Sequence, residues 1–265
     1  MAVAVLVLVS GCSSGRAAGD SPPTLPSKPT AVSRVSVTTE DSTTTTTTTA
    51  RPRGKYADRV PHFADPPAPE KITFPAGAWL SRIPTTQKVA FITIDDGYVR
   101  HPEALDLIRD SGVPVSLFLI SSVAKEDPKF FSDIDLFADA TIEAHTVSHA
   151  KLRGKSYAAQ KQEICGSADQ LQQLFGTRPT LFRAPGGLKD ATTLQAAADC
   201  GMKAVLFWHE AVNNGQVQFQ EGAKVQPGDV ILMHFRQTFV EDYLAALQGI
   251  KDAGLTPARL EDYIA

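Results

Sequence analysis

Apolar and polar positions are distributed unevenly along this 265-residue chain. From Lys71 onward, short apolar runs bounded by turn residues alternate with stretches whose apolar residues recur three or four apart, the patterns of buried strands and amphipathic helices. KVAFITI (Lys88 to Ile94) is β-branched and predicts a strand, and HPEALDLIRDSG predicts a short helix stopped by Gly112. VPVSLFLI, DATIEA, TLFRAP, KAVLFW and DVILMHF read as further strands. PKFFSDIDLF, DATTLQAAADCG (Asp190 to Gly201) and VEDYLAALQGIKDAG read as helices. A long helix is expected from an N-cap at Ser156 to a stop at Gly176, and PARLEDYI ends the chain.

Repeated β-then-α order argues for parallel strands joined by right-handed crossovers, as a wound sheet or a barrel. In either, functional residues gather at the carboxyl ends of the strands.

The chain before this region has a different texture. Residues 13–69 are rich in Ser, Thr and Pro and include the tract SVTTEDSTTTTTTTARPRG, which has almost nothing apolar to bury and reads as a disordered tether. Residues 70–265 are therefore expected to form the folded domain, long enough for a continuous core. Residues 1–12 contain AVAVLVLVSGC, an apolar run ending in small residues before Cys12, which resembles the lipobox of bacterial lipoprotein signal peptides. The resemblance implies export and a lipid anchor on Cys12, with an ordinary secretory signal as the alternative. No Lys or Arg precedes the run, so the start codon is expected upstream of Met1. Cys165 and Cys200 remain, either as a disulfide suited to an exported protein or as two buried thiols.

With 29 acidic and 26 basic residues and no basic stripe interleaved with aromatics, the chain carries no nucleic-acid footprint. No apolar run approaches the roughly 20 residues that a membrane-spanning helix needs. A monomer is expected.

The carboxyl ends of the expected strands carry Asp95-Asp96, then His145 with His149, then Arg183, then Trp208-His209-Glu210, then His234. These residue types bind metals, move protons or hold anions, and they recur at five separate strand ends. HTVSH (His145 to His149) places two imidazoles on one side of a tight turn. Two histidines and one carboxylate make a three-ligand site that leaves the fourth tetrahedral position of zinc open, the mark of a catalytic metal. A cation there would bring the pKa of water to about 7.

TIDDG (Thr93 to Gly97), HTVSH, RAPGG (Arg183 to Gly187) and LMH (Leu232 to His234) stand in the order and spacing of the polysaccharide deacetylases, the NodB-homology or carbohydrate esterase family 4 enzymes, which the chain resembles over about residues 86–260. The resemblance implies a distorted (β/α) barrel. It implies that Asp96, His145 and His149 bind a divalent metal, usually zinc, that Asp95 is the general base and that His234 is the general acid. It further implies that Gly186 N–H stabilises the oxyanion, that Leu232 lines the acetyl pocket and that Arg183 orients the base by pairing with carboxylates. The implied reaction is N-deacetylation of a glycan; a membrane tether and a long stalk make peptidoglycan the first expectation and chitin-type oligomers the next.

Two motifs depart from the family pattern. Gly186 stands where an aromatic, commonly Tyr, is usual, and FWHEAVNNG (Phe207 to Gly215) lacks the expected Asp-Trp pair. Glu210 is then the candidate carboxylate for Arg183, and Trp208 the candidate hydrophobic wall. A glycan-binding pseudoenzyme and an amidase or esterase for small acylated molecules stand as alternatives.

Overall fold

The computed structural model describes residues 54–265, so the expected signal segment with Cys12 and most of the expected Thr-rich tether lie outside the described residues. Ten strands are present among the described residues: β1 Ala78–Leu80, β2 Val89–Asp96, β3 Val115–Leu119, β4 Ala140–Ala144, β5 Leu181–Phe182, β6 Ala204–Leu206, β7 Glu210–Asn213, β8 Gln216–Phe219, β9 Val230–His234 and β10 Thr256–Pro257. Helices α1 Ala104–Ser111, α2 Ser121–Ala124, α3 Pro128–Phe137, α4 Tyr157–Phe175, α5 Ala191–Asp199 and α6 Phe239–Asp252 connect or flank them. The strands run in the order β1-β6-β5-β4-β3-β2-β9-β7-β8. All neighbouring pairs are parallel except β7 with β8. The path curls back on itself: beyond β1, Ile83 N–H donates to Gly228 O at 2.8 Å, beside a bridge between Arg82 and Asp229 at the start of β9. This is the distorted barrel that the family resemblance implies, one of the two arrangements the alternation allows.

Side-chain parity along the strands creates two apolar layers. On β2, Ala90, Ile92 and Ile94 pack outward with the helices, while Val89 and Phe91 belong to a separate inner cluster with Phe118, Leu181, Leu206 and Tyr263. Because successive residues of a strand face opposite sides, the same inward parity continues to Thr93 and Asp95 on β2, His145 after β4, Arg183 after β5, Trp208 after β6, and Leu232 and His234 on β9. The opposite end is closed by the C-terminal segment: β10 pairs with Val89 and Ala90, and Leu260, Tyr263 and Ile264 fill the inner cluster.

Helix ends follow the expected chemistry. Ser156 Oγ accepts from Ala159 N–H to open α4, Gly176 closes it at φ 82°, and Asp190 forms a capping box with Thr193. Cys165 on α4 and Cys200 at the end of α5 are joined by a disulfide with a Cα–Cα distance of 5.0 Å.

Three features depart from expectation. The packed domain begins before residue 70: Tyr56 and Val60 are buried, Tyr56 OH bonds Glu103, its N–H donates to Asp110 Oδ2 at 3.2 Å, and Phe63 packs on the core. Three aromatic or β-branched side chains within an otherwise polar stretch suffice to dock it. The strands expected at TLFRAP and KAVLFW shorten to two and three residues. Finally, β7 and β8 form an unpredicted hairpin, although Asn214-Gly215 between alternating Val212, Val217 and Phe219 is a hairpin signal; both turn residues have positive φ, 52° and 71°.

Candidate active site

At the carboxyl edge the inward-facing residues converge. His145 Nε2 lies 3.5 Å from Asp96 Oδ1 and 3.7 Å from Asp95 Oδ2, and His149 Nε2 lies 3.4 Å from Asp96 Oδ1. One ligand atom each from Asp96, His145 and His149 falls within a 4.8 Å cluster.

Strict alternation would send Asp96 to the helix side of β2, since Asp95 faces inward. Its backbone instead turns left-handed at φ 77°, a conformation that costs a non-glycine residue on the order of 1–3 kcal/mol and that redirects its carboxylate to the histidines. Gly97 completes the turn at φ 99°, and a Cβ there would lie 2.8 Å from Phe131 Cζ. His149 is also left-handed, at φ 60°, as is Thr146 at 69°. Local strain is thus concentrated on the loops that bring the three groups together.

These residues fit a divalent metal. His145 Nδ1–H donates to Arg183 O at 2.8 Å, since a carbonyl only accepts, and this bond orients the ring with Nε2, the nitrogen available to a metal, toward Asp96. Asp96 Oδ1 is buried without a hydrogen-bond partner among the described residues. Burial acts upward on the Asp96 carboxyl, yet the neighbouring His145, with His234 and His149, leaves it below its usual range. Burial acts downward on His145, but Asp95 and Asp96 outweigh it and raise the imidazole. Burial and the neighbouring His145 lower His149.

Asp95 is held from the opposite side. Arg183 Nη1 donates to Asp95 Oδ1 at 2.6 Å and to Thr93 Oγ1 at 2.9 Å, and Nη2 donates to Phe207 O at 3.2 Å. The guanidinium lies 4.3 Å from the Phe118 ring and 5.9 Å from the Trp208 ring, and Trp208 itself stacks on Phe207. His234 is in register with Asp95 across β2 and β9, and Leu232 with Thr93. Burial, the largest influence, lowers His234. Gly186 occupies an exposed turn at φ 63°.

Glu210 does not pair with Arg183, contrary to expectation. It begins β7, beside Asp229, whose carboxylate is taken by Arg82. Arg183 Nη1 and Nη2 instead donate to Asp95, Thr93 and the Phe207 carbonyl, while Nε has no partner among the described residues.

The sequence carried no signal for Glu163. From α4 it accepts from Val147 N–H at 2.9 Å, Ser148 N–H at 3.0 Å and Ser148 Oγ at 2.7 Å, clamping the loop between the two histidines. Only packing of α4 against that loop brings it there. His101 stacks on Phe239, outside the cluster.

The family model described as polysaccharide deacetylase matches residues 82–205. An uncharacterized protein of Streptomyces coelicolor is 35% identical over 191 residues, 70% of this chain and 76% of that one. A solved peptidoglycan N-acetylglucosamine deacetylase superposes with a TM-score of 0.61 at 22% identity, covering 71% of this chain and 92% of its own. A carbohydrate esterase family 4 pseudoenzyme of Bacillus anthracis superposes with a TM-score of 0.61 at 16% identity, covering 70% and 68%.

Proposed function

We propose, since the chain belongs to the polysaccharide deacetylase family, that it is a metal-dependent hydrolase of carbon–nitrogen, non-peptide bonds that removes N-acetyl groups from a glycan. The observation that carries this reading is the convergence of Asp96, His145 and His149 beside Asp95, with Asp95 held by Arg183 and in register with His234.

Asp96, His145 and His149 would hold the cation, zinc being the best match to two imidazoles and one carboxylate. When bound, it supplies Lewis acidity and brings water's pKa to about 7. Asp95 takes the proton of the attacking water, oriented for this by Arg183. His234 gives a proton to the departing amine nitrogen. The N–H of Gly186 stabilises negative charge on the carbonyl oxygen, and Leu232 and Trp208 supply apolar walls.

Peptidoglycan is the first substrate class, supported by the lipobox-like Cys12 and the Thr-rich stretch that would carry the domain from a membrane into a wall. Chitin-type oligomers come second. In this reading the protein is exported and either lipid-anchored at Cys12 or secreted. Mass spectrometry of the mature N-terminus tests the anchor: an unprocessed, unlipidated terminus refutes it.

A glycan-binding role without chemistry is the second reading, favoured by the open wall at Gly186 and the missing Asp-Trp pair. Acetate release from purified peptidoglycan and chitooligosaccharides by wild type, Asp95→Asn and His145→Ala separates the two. Release that both substitutions abolish supports the hydrolase. Metal binding without release from any polymer supports the binder.

A further inference from the structure

Three large hydrophobic side chains are exposed among the described residues: Tyr98, Phe137 and Tyr157. Phe137 ends α3, and Tyr157 begins α4 with its hydroxyl on Asp199 at 2.5 Å. Tyr98 alone of the three leaves a strand's carboxyl end, two residues after the candidate ligand Asp96. It is 53% exposed, and its ring meets the ring of His149, another candidate ligand, edge to face at 6.3 Å between centroids.

The loop that bears Tyr98 is fixed. Arg100 Nη1 donates to Tyr98 O at 3.0 Å, while Nη2 donates to Val123 O at 2.7 Å and to Glu126 Oε2 at 3.1 Å. The Arg100 guanidinium also lies 5.8 Å from the Phe131 ring, against which Gly97 is packed. An aromatic ring on such a loop offers a large contact area with little ordering to do on binding. Across the site the position of Gly186 offers none: a Cβ there would meet nothing nearer than the Leu188 side chain at 3.8 Å.

We propose that Tyr98 is the stacking platform for the pyranose ring that carries the acyl group, and so sets preference for glycans over small acylated amides. The proposal rests on the hydrolase reading above. A pyranose with equatorial substituents presents C–H faces that match the flat face of an aromatic ring, and a ring beside His149 places that sugar within reach of the metal ligands.

The test measures binding of tetra-N-acetylchitotetraose by calorimetry to the zinc-loaded Asp95→Asn protein, alone and combined with Tyr98→Ala, Tyr98→Phe or Phe137→Ala. Steady-state acetate release is then measured for the same three substitutions in the active protein. Tyr98→Ala is expected to weaken binding and raise KM about tenfold, with kcat within about twofold and zinc content unchanged. Tyr98→Phe keeps the ring and should match the parent, as should Phe137→Ala. If Tyr98→Ala matches the parent, or Tyr98→Phe fails as badly as Tyr98→Ala, ring stacking is refuted while the hydrolase reading stands. If the parent neither binds the oligomer nor releases acetate, both fall.

Discussion

Arg183 Nη1 and Asp95 Oδ1 are 2.6 Å apart, and both side chains are buried. A guanidinium enclosed between Phe118 and Trp208 is tolerable because both terminal nitrogens find acceptors in Asp95, Thr93 and Phe207 O. The pair therefore serves stability and the orientation of Asp95 together. Arg183→Leu should lower stability by about 3–5 kcal/mol, because it leaves a buried carboxylate unpaired. It should also lower kcat by about 10²–10⁴-fold. Urea unfolding and acetate release check the two effects separately.

The adjacent acids should fail differently. Asp96→Asn removes a candidate ligand and should abolish stoichiometric zinc retention after dialysis. Asp95→Asn should keep the zinc and lose about 10²–10⁴-fold in kcat. Metal analysis of both variants decides, and equal zinc content would refute the division of labour.

Glu163 touches none of the reacting groups and acts through the loop it clamps. Glu163→Ala should weaken zinc binding about 10–100-fold, the usual range for partners that orient ligands. Glu163→Gln retains one acceptor oxygen and should lie between. Zinc affinity by competition with a chromogenic chelator reads this directly.

The Cys165–Cys200 disulfide spans 35 residues in sequence. Closing a loop of that length is worth about 3–4 kcal/mol in the chain-entropy account. The double substitution Cys165→Ala/Cys200→Ala should lose about that much stability while leaving zinc affinity at 25 °C unchanged, because the bond braces α4 against α5 rather than touching the site.

Glu210 sets a pH dependence of stability. Burial first, then the hydrogen bond and charge of Asp229, push its carboxyl up to about 9. The folded protein thus keeps a proton that the unfolded chain releases above about pH 4.3. Its contribution is complete below that value and is lost as pH rises toward 9. Wild-type Tm should therefore fall between about pH 6 and 9, and Glu210→Gln, which keeps a hydrogen donor, should flatten that slope. A slope unchanged by the substitution would assign it to another group.

Much of the fold was legible in the chain because burial dictates pattern. The continuous apolar run of β2 is covered on both faces, and α4 opens and closes at Ser156 and Gly176 as its capping residues require. The docked segment around Tyr56 and the β7–β8 hairpin do not follow from that pattern. In each, a few apolar residues in polar surroundings acquire meaning only from the surface they meet.

The sequence by itself determined which residue types stand at which strand ends: two acids closing β2, two histidines after β4, an arginine after β5 and a histidine closing β9. Strand order and parity turn that list into a ring of inward-facing groups. Only the tertiary structure decided how the groups pair. Alternation predicts that Asp95 and Asp96 diverge, yet the left-handed turn at Asp96 brings both carboxylates to His145. Glu210 stood close to the expected place for the partner of Arg183, yet it lies beside Asp229, and Asp95 takes the guanidinium. A backbone angle and a choice between carboxylates depend on which strands become neighbours, and contacts between residues some ninety positions apart settle that.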